Sequence, residues 1–271
     1  MHPMLNIAVR AARKAGDIII RNLDRAQGLD LGVKGHNDFV TEVDRLAERA
    51  IIEIIHKAYP EHAILAEESG AQGDGAYQWV IDPLDGTTNF VHGYPQFGVS
   101  IALKHRGDLK QAVVYDPVRQ ELFTATRGQG ALVNDKRIRV SGRLGLKHAL
   151  IGTGFPVREQ TLLEAYLQSF RELFQDSAGI RRAGAACLDL AHVASGRLDG
   201  FWELGLKEWD IAAGALLIQE AGGIVSDFQG GQDFVRSGTL VAGNPQVHEA
   251  MWEILKDSEI ARLAKHPSAY G

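Results

Sequence analysis

The chain lacks the materials for several common kinds of protein. Its 271 residues include one cysteine, Cys187, so no internal disulfide can form. That suits a reducing, cytoplasmic compartment. Long apolar runs are missing too. The first 23 residues are interrupted by Arg10, Arg13, Lys14 and Asp17, and no other window of membrane-spanning length is free of charge. Neither a signal peptide nor a membrane span is expected. Positive charge is not in excess, because 29 Lys and Arg stand against 34 Asp and Glu, a net charge of −5. Strong direct nucleic-acid binding is therefore not expected from the overall charge, although a local basic patch stays open. There is no internal repeat and no low-complexity linker.

Absent motifs narrow the chemistry further. No GxxxxGK[ST] loop speaks for a P-loop NTPase, and no GxGxxG opens a helix after a strand. No GxSxG elbow presents a nucleophilic serine. No Cys/His cluster has zinc spacing, and there is no HExxH. Cys187, within Ala-Ala-Cys-Leu, reads as a small core residue. His92 reads first as a loop residue.

What is present is ordinary for a soluble enzyme: 45% apolar and 23% charged residues. The spacing of Leu5, Ala8, Val9, Ala12, Gly16, Ile19, Ile20 and Leu23 predicts a first helix. A polar loop is expected over residues 24–37, and a second helix over about 41–58. Short buried strands are expected at 63–66 and 78–81, then an antiparallel meander between about 98 and 140. Its strands are 100–104, 111–115, 121–126 and 131–133. Further strands are expected at 150–153, 200–203, 224–226 and 239–242, alternating with helices at 161–174, 188–195, 211–220 and 246–263. Alternation of this kind predicts an α/β layered fold.

The most informative stretch is Asp82-Pro83-Leu84-Asp85-Gly86-Thr87-Thr88. It follows a predicted buried strand, at the end where α/β proteins place ligands. Pro83 and Gly86 suggest a tight turn that gathers Asp82 and Asp85. Taken alone, the same residues could simply cap a helix. Glu67-Glu68 closes the preceding strand and Trp209-Asp210 opens a later helix; singly, these read as a solvated turn and an N-cap. Jointly, three acidic turns lie at the edges of buried elements. If Glu67, Asp82, Asp85 and Asp210 converge, each pair about 4 Å apart repels by roughly 4 kcal/mol at an effective dielectric near 20. Protonation or bound cations must relieve that repulsion. All-oxygen ligation favours Mg²⁺. Gly86-Thr87-Thr88 adds backbone N–H groups at a helix start, suited to an anion such as phosphate.

These residues, with Asp44 and Gly222-Gly223, resemble the inositol monophosphatase family over nearly the whole chain. The resemblance implies an αβαβα layered sandwich of the inositol monophosphatase / fructose-1,6-bisphosphatase type. It implies a single catalytic domain over 1–271, with halves at about 1–145 and 146–271. It implies two or three Mg²⁺ ions: Glu67, Asp82 and the Leu84 carbonyl for the first, Asp82, Asp85 and Asp210 for the second, and Glu67 for a weaker third. Thr87, paired with Asp44, would help activate water, with Glu67 also in the catalytic group. Gly86 and Thr87 would contact phosphate. Glu203, Asp85, Asp210 and the turn Gly184, Ala185 and Ala186 would border the substrate, and Lys34 would lie in a loop near the metals. The implied activity is hydrolysis of inositol 1-phosphate or a related polyol phosphate, with lithium sensitivity and a homodimer involving residues 179–190. Ala185 replaces a hydroxyl residue of animal relatives, and Arg181-Arg182 is of a bacterial kind. A nucleotide 3′-phosphate, fructose bisphosphate and histidinol phosphate therefore stay open as substrates. Bacterial members are also associated with ribosomal RNA transcription, so antitermination proteins or RNA polymerase are expected partners. Arg181 and Arg182 are the first-choice contact surface for them, with a solvated basic pair as the plain alternative.

Overall fold

The computed structural model describes residues 2–27, 34–156 and 160–264. Two long helices come first, α1 (Pro3–Gln27) and α2 (Lys34–Ala58). Leu5, Ala8, Ala12, Ala15 and Ile19 form a buried stripe on α1, and Val43, Ala47, Ile51 and Ile55 form one on α2. Both stripes belong to one apolar core and follow the 3.6-residue period.

The loop expected over residues 24–37 is shorter than its polarity suggested, because α1 runs on to Gln27 and α2 begins at Lys34. Extending a formed helix adds a hydrogen bond per residue without a new nucleus, so polar residues continue it with no apolar signal. Lys34 opens a helix rather than lying in a loop. Its side chain and residues 28–33 lie outside the described residues.

The first sheet holds β1 (Ala63–Ala66), β2 (Gly70–Gln72), β3 (Tyr77–Asp85), β4 (Gly98–His105), β5 (Asp108–Asp116), β6 (Glu121–Thr126), β7 (Gly130–Val133) and β8 (Lys136–Arg137). Its order is β2-β1-β3-β4-β5-β6-β7-β8. β1 and β3 run parallel, and the meander from β3 onward is antiparallel. A five-residue helix, α3 (Thr87–Val91), follows β3. Alternation along the strands divides the sheet's two faces. Trp79, Ile81, Val99, Ile101 and Val113 face the α1–α2 core, whereas Val80, Ala102, Ala112 and Val114 face the opposite way.

The second sheet holds β9 (Leu150–Thr153), β10 (Gly179–Arg181), β11 (Gly200–Leu204), β12 (Ile224–Ser226) and β13 (Thr239–Gly243), in the order β10-β9-β11-β13-β12. The remaining helices are α4 (Leu163–Asp176), α5 (Ala186–Ala194), α6 (Glu208–Glu220), α7 (Phe234–Ser237), α8 (Pro245–Leu255) and α9 (Glu259–Leu263). Helices α5 and α6 fill the space between the sheets and share a core with Val80 and Ala112 on one side and Phe201 and Leu240 on the other. Residues Ile211 to Ile218 are all buried, the pattern of a helix enclosed on every side. α4, α8 and α9 cover the outer face of the second sheet against Trp202 and Val241. The layers are thus αβαβα, as expected.

The single helix expected over residues 246–263 is two. Ser258 Oγ accepts the Ala261 N–H and donates to the Leu255 carbonyl, ending α8 and capping α9. Serine offers the backbone this alternative to continuing a helix. β2, β8 and β10 were not foreseen, since two or three residues show no alternation. No helix among the described residues is long and apolar enough to cross a membrane.

Candidate active site

The acidic residues reach one place by backbone pairing. β1 and β3 run parallel with Ala66 opposite Ile81, and the Glu67 N–H donates to the Ile81 carbonyl at 3.1 Å. Glu67 is thereby set beside Asp82. The sequence suggested that the strand ends at Ile81 with a turn at Pro83. Instead β3 continues to Asp85, with a register shift against β4 between Asp82 and Asp85. Pro83 has no N–H for the ladder, and an extra residue re-aims the side chains that follow. Asp82 Oδ1 accepts the Leu84 N–H at 3.0 Å, which holds the bulge.

Asp210 comes from the first turn of α6, where its Oδ2 accepts the Lys207 N–H at 2.7 Å. That bond makes Asp210 the third helical residue of a capping box whose N-cap is Lys207, rather than the N-cap itself. Ser100, opposite Asp82 in the sheet, donates its hydroxyl to the Trp209 carbonyl at 3.0 Å and ties the start of α6 to the β3 bulge.

Electrostatics record how near these acids lie to Asp82. Asp82 is almost fully buried. Burial pushes its carboxyl well above the usual range, and Glu67, Asp85, Asp210 and Asp44 push it further. Burial raises Asp85 to about 7; Asp210 adds to the rise, whereas hydrogen bonds from Cys187 oppose it. Asp44, from α2, is raised to about 8 by burial, then by Glu67, Glu68 and Glu48. Its Oδ1 is buried with no hydrogen-bond partner among the described residues, a costly arrangement unless something else fills the position.

These donors fit a hard divalent cation. They are carboxylates and a main-chain carbonyl, and Cys187 is a buried thiol whose pKa burial and the nearby acids raise. Among the described residues no three Asp, Glu, His or Cys side chains close on one point. Unscreened carboxylates repel, and Mg²⁺ keeps several waters rather than needing an all-protein cage. The orphaned Asp44 oxygen is consistent with a group such as a bound water to be held there.

The anion end is built around Gly86, whose φ is +91°. A β-carbon there would lie 2.8 Å from the Gln96 carbonyl oxygen and 3.2 Å from Ala185 Cβ. Only glycine allows so close an approach at that φ. Gly86 is thus set against the Gly184–Ala186 turn. The Thr87 hydroxyl donates to the Leu84 carbonyl at 3.0 Å. Among the described residues the expected pairing of Thr87 with Asp44 is not formed, because the hydroxyl is engaged by a nearer acceptor on its own turn.

Residues that sequence reasoning missed complete the arrangement. Asn89 Nδ2 donates to the carbonyls of Gln96 at 2.7 Å, Ala183 at 2.9 Å and Gly184 at 3.3 Å. This one amide fastens α3 to the 183–186 turn. It directly follows Thr88, the last threonine of the motif, so its position was the available signal. The Cys187 N–H donates to Asp85 Oδ2 at 2.6 Å. Glu203, on β11, is raised well above the carboxylate range by burial, then by Asp189, Asp210 and Asp85, with Arg182 opposing. Asp189, buried in α5, is raised in the same way; nothing in the apolar run around it signalled a role. A β-carbon at Gly154 would overlap the Glu203 carboxylate.

Arg181 and Arg182 are exposed, but Arg182 is not simply solvated. Its guanidinium lies 5.4 Å from the centre of the Phe155 ring, and its charge is felt by Glu203 and Asp189. His92 is exposed and closes α3, with Nδ1 2.8 Å from the Thr88 carbonyl.

A layered αβαβα fold with this acidic cluster at the strand ends defines a class, the phosphatases of the inositol monophosphatase type. The chain belongs to the inositol monophosphatase family, whose sequence profile matches residues 1–260. Among its relatives is the Nus factor SuhB of Pseudomonas aeruginosa, 59% identical over 257 residues, a match covering 93% of this chain and 95% of that one. Among solved structures, the native extragenic suppressor protein suhB of Bartonella henselae is 43% identical with a TM-score of 0.87, covering 94% of this chain and 99% of that one. The inositol monophosphatase of Anabaena is 38% identical with a TM-score of 0.86, covering 96% and 98%.

Proposed function

We propose that the chain is a Mg²⁺-dependent phosphomonoesterase that hydrolyses inositol 1-phosphate or a related polyol phosphate in the cytoplasm. The observation that carries this reading is the crowding of Asp82, with Glu67, Asp85, Asp210 and Asp44 all raising its pKa, beside the Gly86–Thr87 turn. Residues 1–271 act as one catalytic unit. Glu67, Asp82 and the Leu84 carbonyl would hold one ion, Asp82, Asp85 and Asp210 a second, and Glu67 would help with a third. Bound there, such ions acidify a water and offset charge on the leaving oxygen.

The chain's own residues do the rest. Gly86 and Thr87 hold the phosphate by backbone N–H groups. Asp44 takes up a proton from the attacking water, and Thr87 orients that water once its hydroxyl turns from Leu84. The water oxygen bonds to phosphorus, the ester P–O bond breaks with its electron pair going to the alcohol oxygen, and that oxygen takes a proton from solvent water as the alcohol leaves. Glu203 and the Gly184, Ala185 and Ala186 turn bind the alcohol's hydroxyls. No phosphoenzyme is needed: the spacing is DxxD rather than the DxDxT of aspartyl-phosphate enzymes, and the buried thiol of Cys187 is no nucleophile. Lithium inhibits on this reading, and the chain works as a homodimer. Phosphate release from inositol 1-phosphate by the purified protein, with Mg²⁺ and with a chelator, tests it. Equal rates in both would reject the metal-dependent reading.

A second role rests on the relatives named Nus factor SuhB. On that reading the chain also binds transcription antitermination proteins or RNA polymerase. A catalytically dead variant assayed in the cell for ribosomal RNA transcription tests whether this role needs the chemistry.

A further inference from the structure

Away from the carboxylate cluster, α6 ends in a polar cavity of ≈ 690 Å³. Asp210 stands in the first turn of this helix and Glu220 is its last residue, ten residues on and so about 15 Å along the axis. The cavity is lined by the turn between β6 and β7, by Arg137 and Arg139, and by Gln219 and Glu220. Its size is that of a small-metabolite site.

The charges in it are unevenly satisfied. Glu220 is fully engaged: its Oε1 accepts the Gly128 N–H at 2.8 Å and its Oε2 the Gly130 N–H at 2.7 Å. Among the described residues the two arginines bond to carbonyls. Arg137 Nη2 donates to the Gln129 carbonyl at 2.9 Å and Arg139 Nη1 to the Ile138 carbonyl at 3.0 Å. Among the described residues neither guanidinium pairs with a carboxylate. Arg137 and Arg139 flank the buried Ile138. Both arginines line the cavity, and two residues apart their Cα atoms are separated by at most about 7 Å, a spacing one oxyanion can bridge. Gln219 adds an unfilled acceptor, because its Oε1 is buried with no hydrogen-bond partner. A ligand that brings a hydroxyl or amine next to its anionic group satisfies that oxygen once the amide turns into the cavity.

We infer that this cavity is a second ligand site, distinct from the catalytic cluster, for a small phosphate-type oxyanion that also carries a hydroxyl or amine donor. The paired guanidiniums of Arg137 and Arg139 hold the oxyanion, and Gln219 reads the donor.

The test uses the full chain without divalent cations, so that the catalytic cluster does not capture the probes, and two probes that no phosphatase can hydrolyse, 2-hydroxyethylphosphonate and ethylphosphonate, which differ by one hydroxyl. Calorimetric titration at fixed ionic strength should show saturable binding of the first. Arg137→Gln with Arg139→Gln should weaken it by about tenfold or more. Asp82→Asn should leave it unchanged, because the catalytic cluster is not involved. Both arginines are exposed, so their loss should leave the fold intact. The wild type should prefer the hydroxylated probe by about threefold, and Gln219→Met should erase that preference. Absence of saturable binding, binding that survives loss of both arginines, or binding lost in Asp82→Asn each overturns the site. A preference retained in Gln219→Met overturns the assignment of the donor to Gln219.

Discussion

The two ends of the proposed active site are built differently. At the phosphate end, Asp82, Leu84, Asp85, Gly86 and Thr87 are consecutive or nearly so, and one bulged strand and one turn place them. At the polyol end, Gly154, Gly184, Asp189 and Glu203 come from β9's exit, the start of α5 and β11. A contiguous motif can bring charged groups together through local geometry alone. A scattered one needs the completed second sheet. Chemistry should therefore fail when the first end is altered, whereas discrimination among alcohols should fail when the second is altered.

The largest effect is expected for Asp82→Asn. Asp82 is the acid raised by all four of its neighbours and is assigned to both ions. Its loss should reduce turnover of inositol 1-phosphate by about 10³-fold or more, four kcal/mol at the transition state. The variant should melt no earlier than the wild type without divalent cations, because burial already disfavours the charge at this position and the Asn oxygen can still accept the Leu84 N–H. Near-normal turnover would sink the two-ion assignment.

Thr87→Ala should lower kcat by about 10²-fold with a smaller change in KM, since a group that orients the nucleophile acts mainly in the transition state. A change confined to KM would reassign Thr87 to ground-state phosphate binding or to support of the Leu84 carbonyl it bonds.

Gly154→Ala sharpens the contrast between the two ends. Its β-carbon would displace the Glu203 carboxyl, so KM for a polyol phosphate should rise by about tenfold, one lost hydrogen bond. An aryl phosphate, which offers no hydroxyls to Glu203, should be turned over as by the wild type. Equal loss on both substrates would mean that Glu203 serves the phosphate end.

Much of this molecule could be read before its structure. β1, β6, β9 and β12 begin and end where the sequence placed them, because short apolar runs bounded by Gly, Pro or charged residues leave little freedom. The acids of the phosphate end were legible because carboxylates are conspicuous at strand ends. Asn89, Gly154 and Asp189 were not, because their roles depend on what lies across a layer boundary. The Asn89 amide meets a turn nearly a hundred residues away, and Gly154 matters only because Glu203 lies over it. The bulge at Pro83 hid in plain view, since a proline beside a strand reads as its end unless the partner strand is known.

A last expected effect concerns stability rather than turnover and lies away from both ends. His248, on α8, is buried, with Nε2 2.8 Å from Ser226 Oγ. Burial lowers its pKa to about 4. The folded chain thus prefers neutral imidazole, whereas the unfolded chain binds a proton near the ordinary value of about 6.5. Between those values the unfolded state holds more protons, so this contribution is present above pH 6.5 and is lost as pH falls toward 4. At pH 5 the loss from this one residue is about 2 kcal/mol. His248→Gln keeps a hydrogen-bonding group beside Ser226 but cannot titrate. Its stability should fall less steeply than the wild type's between pH 7 and 5. A residual slope should remain from His192, which burial also lowers to about 4. Urea melts across that range read both slopes, and identical slopes would show that His248 already carries its proton in the folded chain.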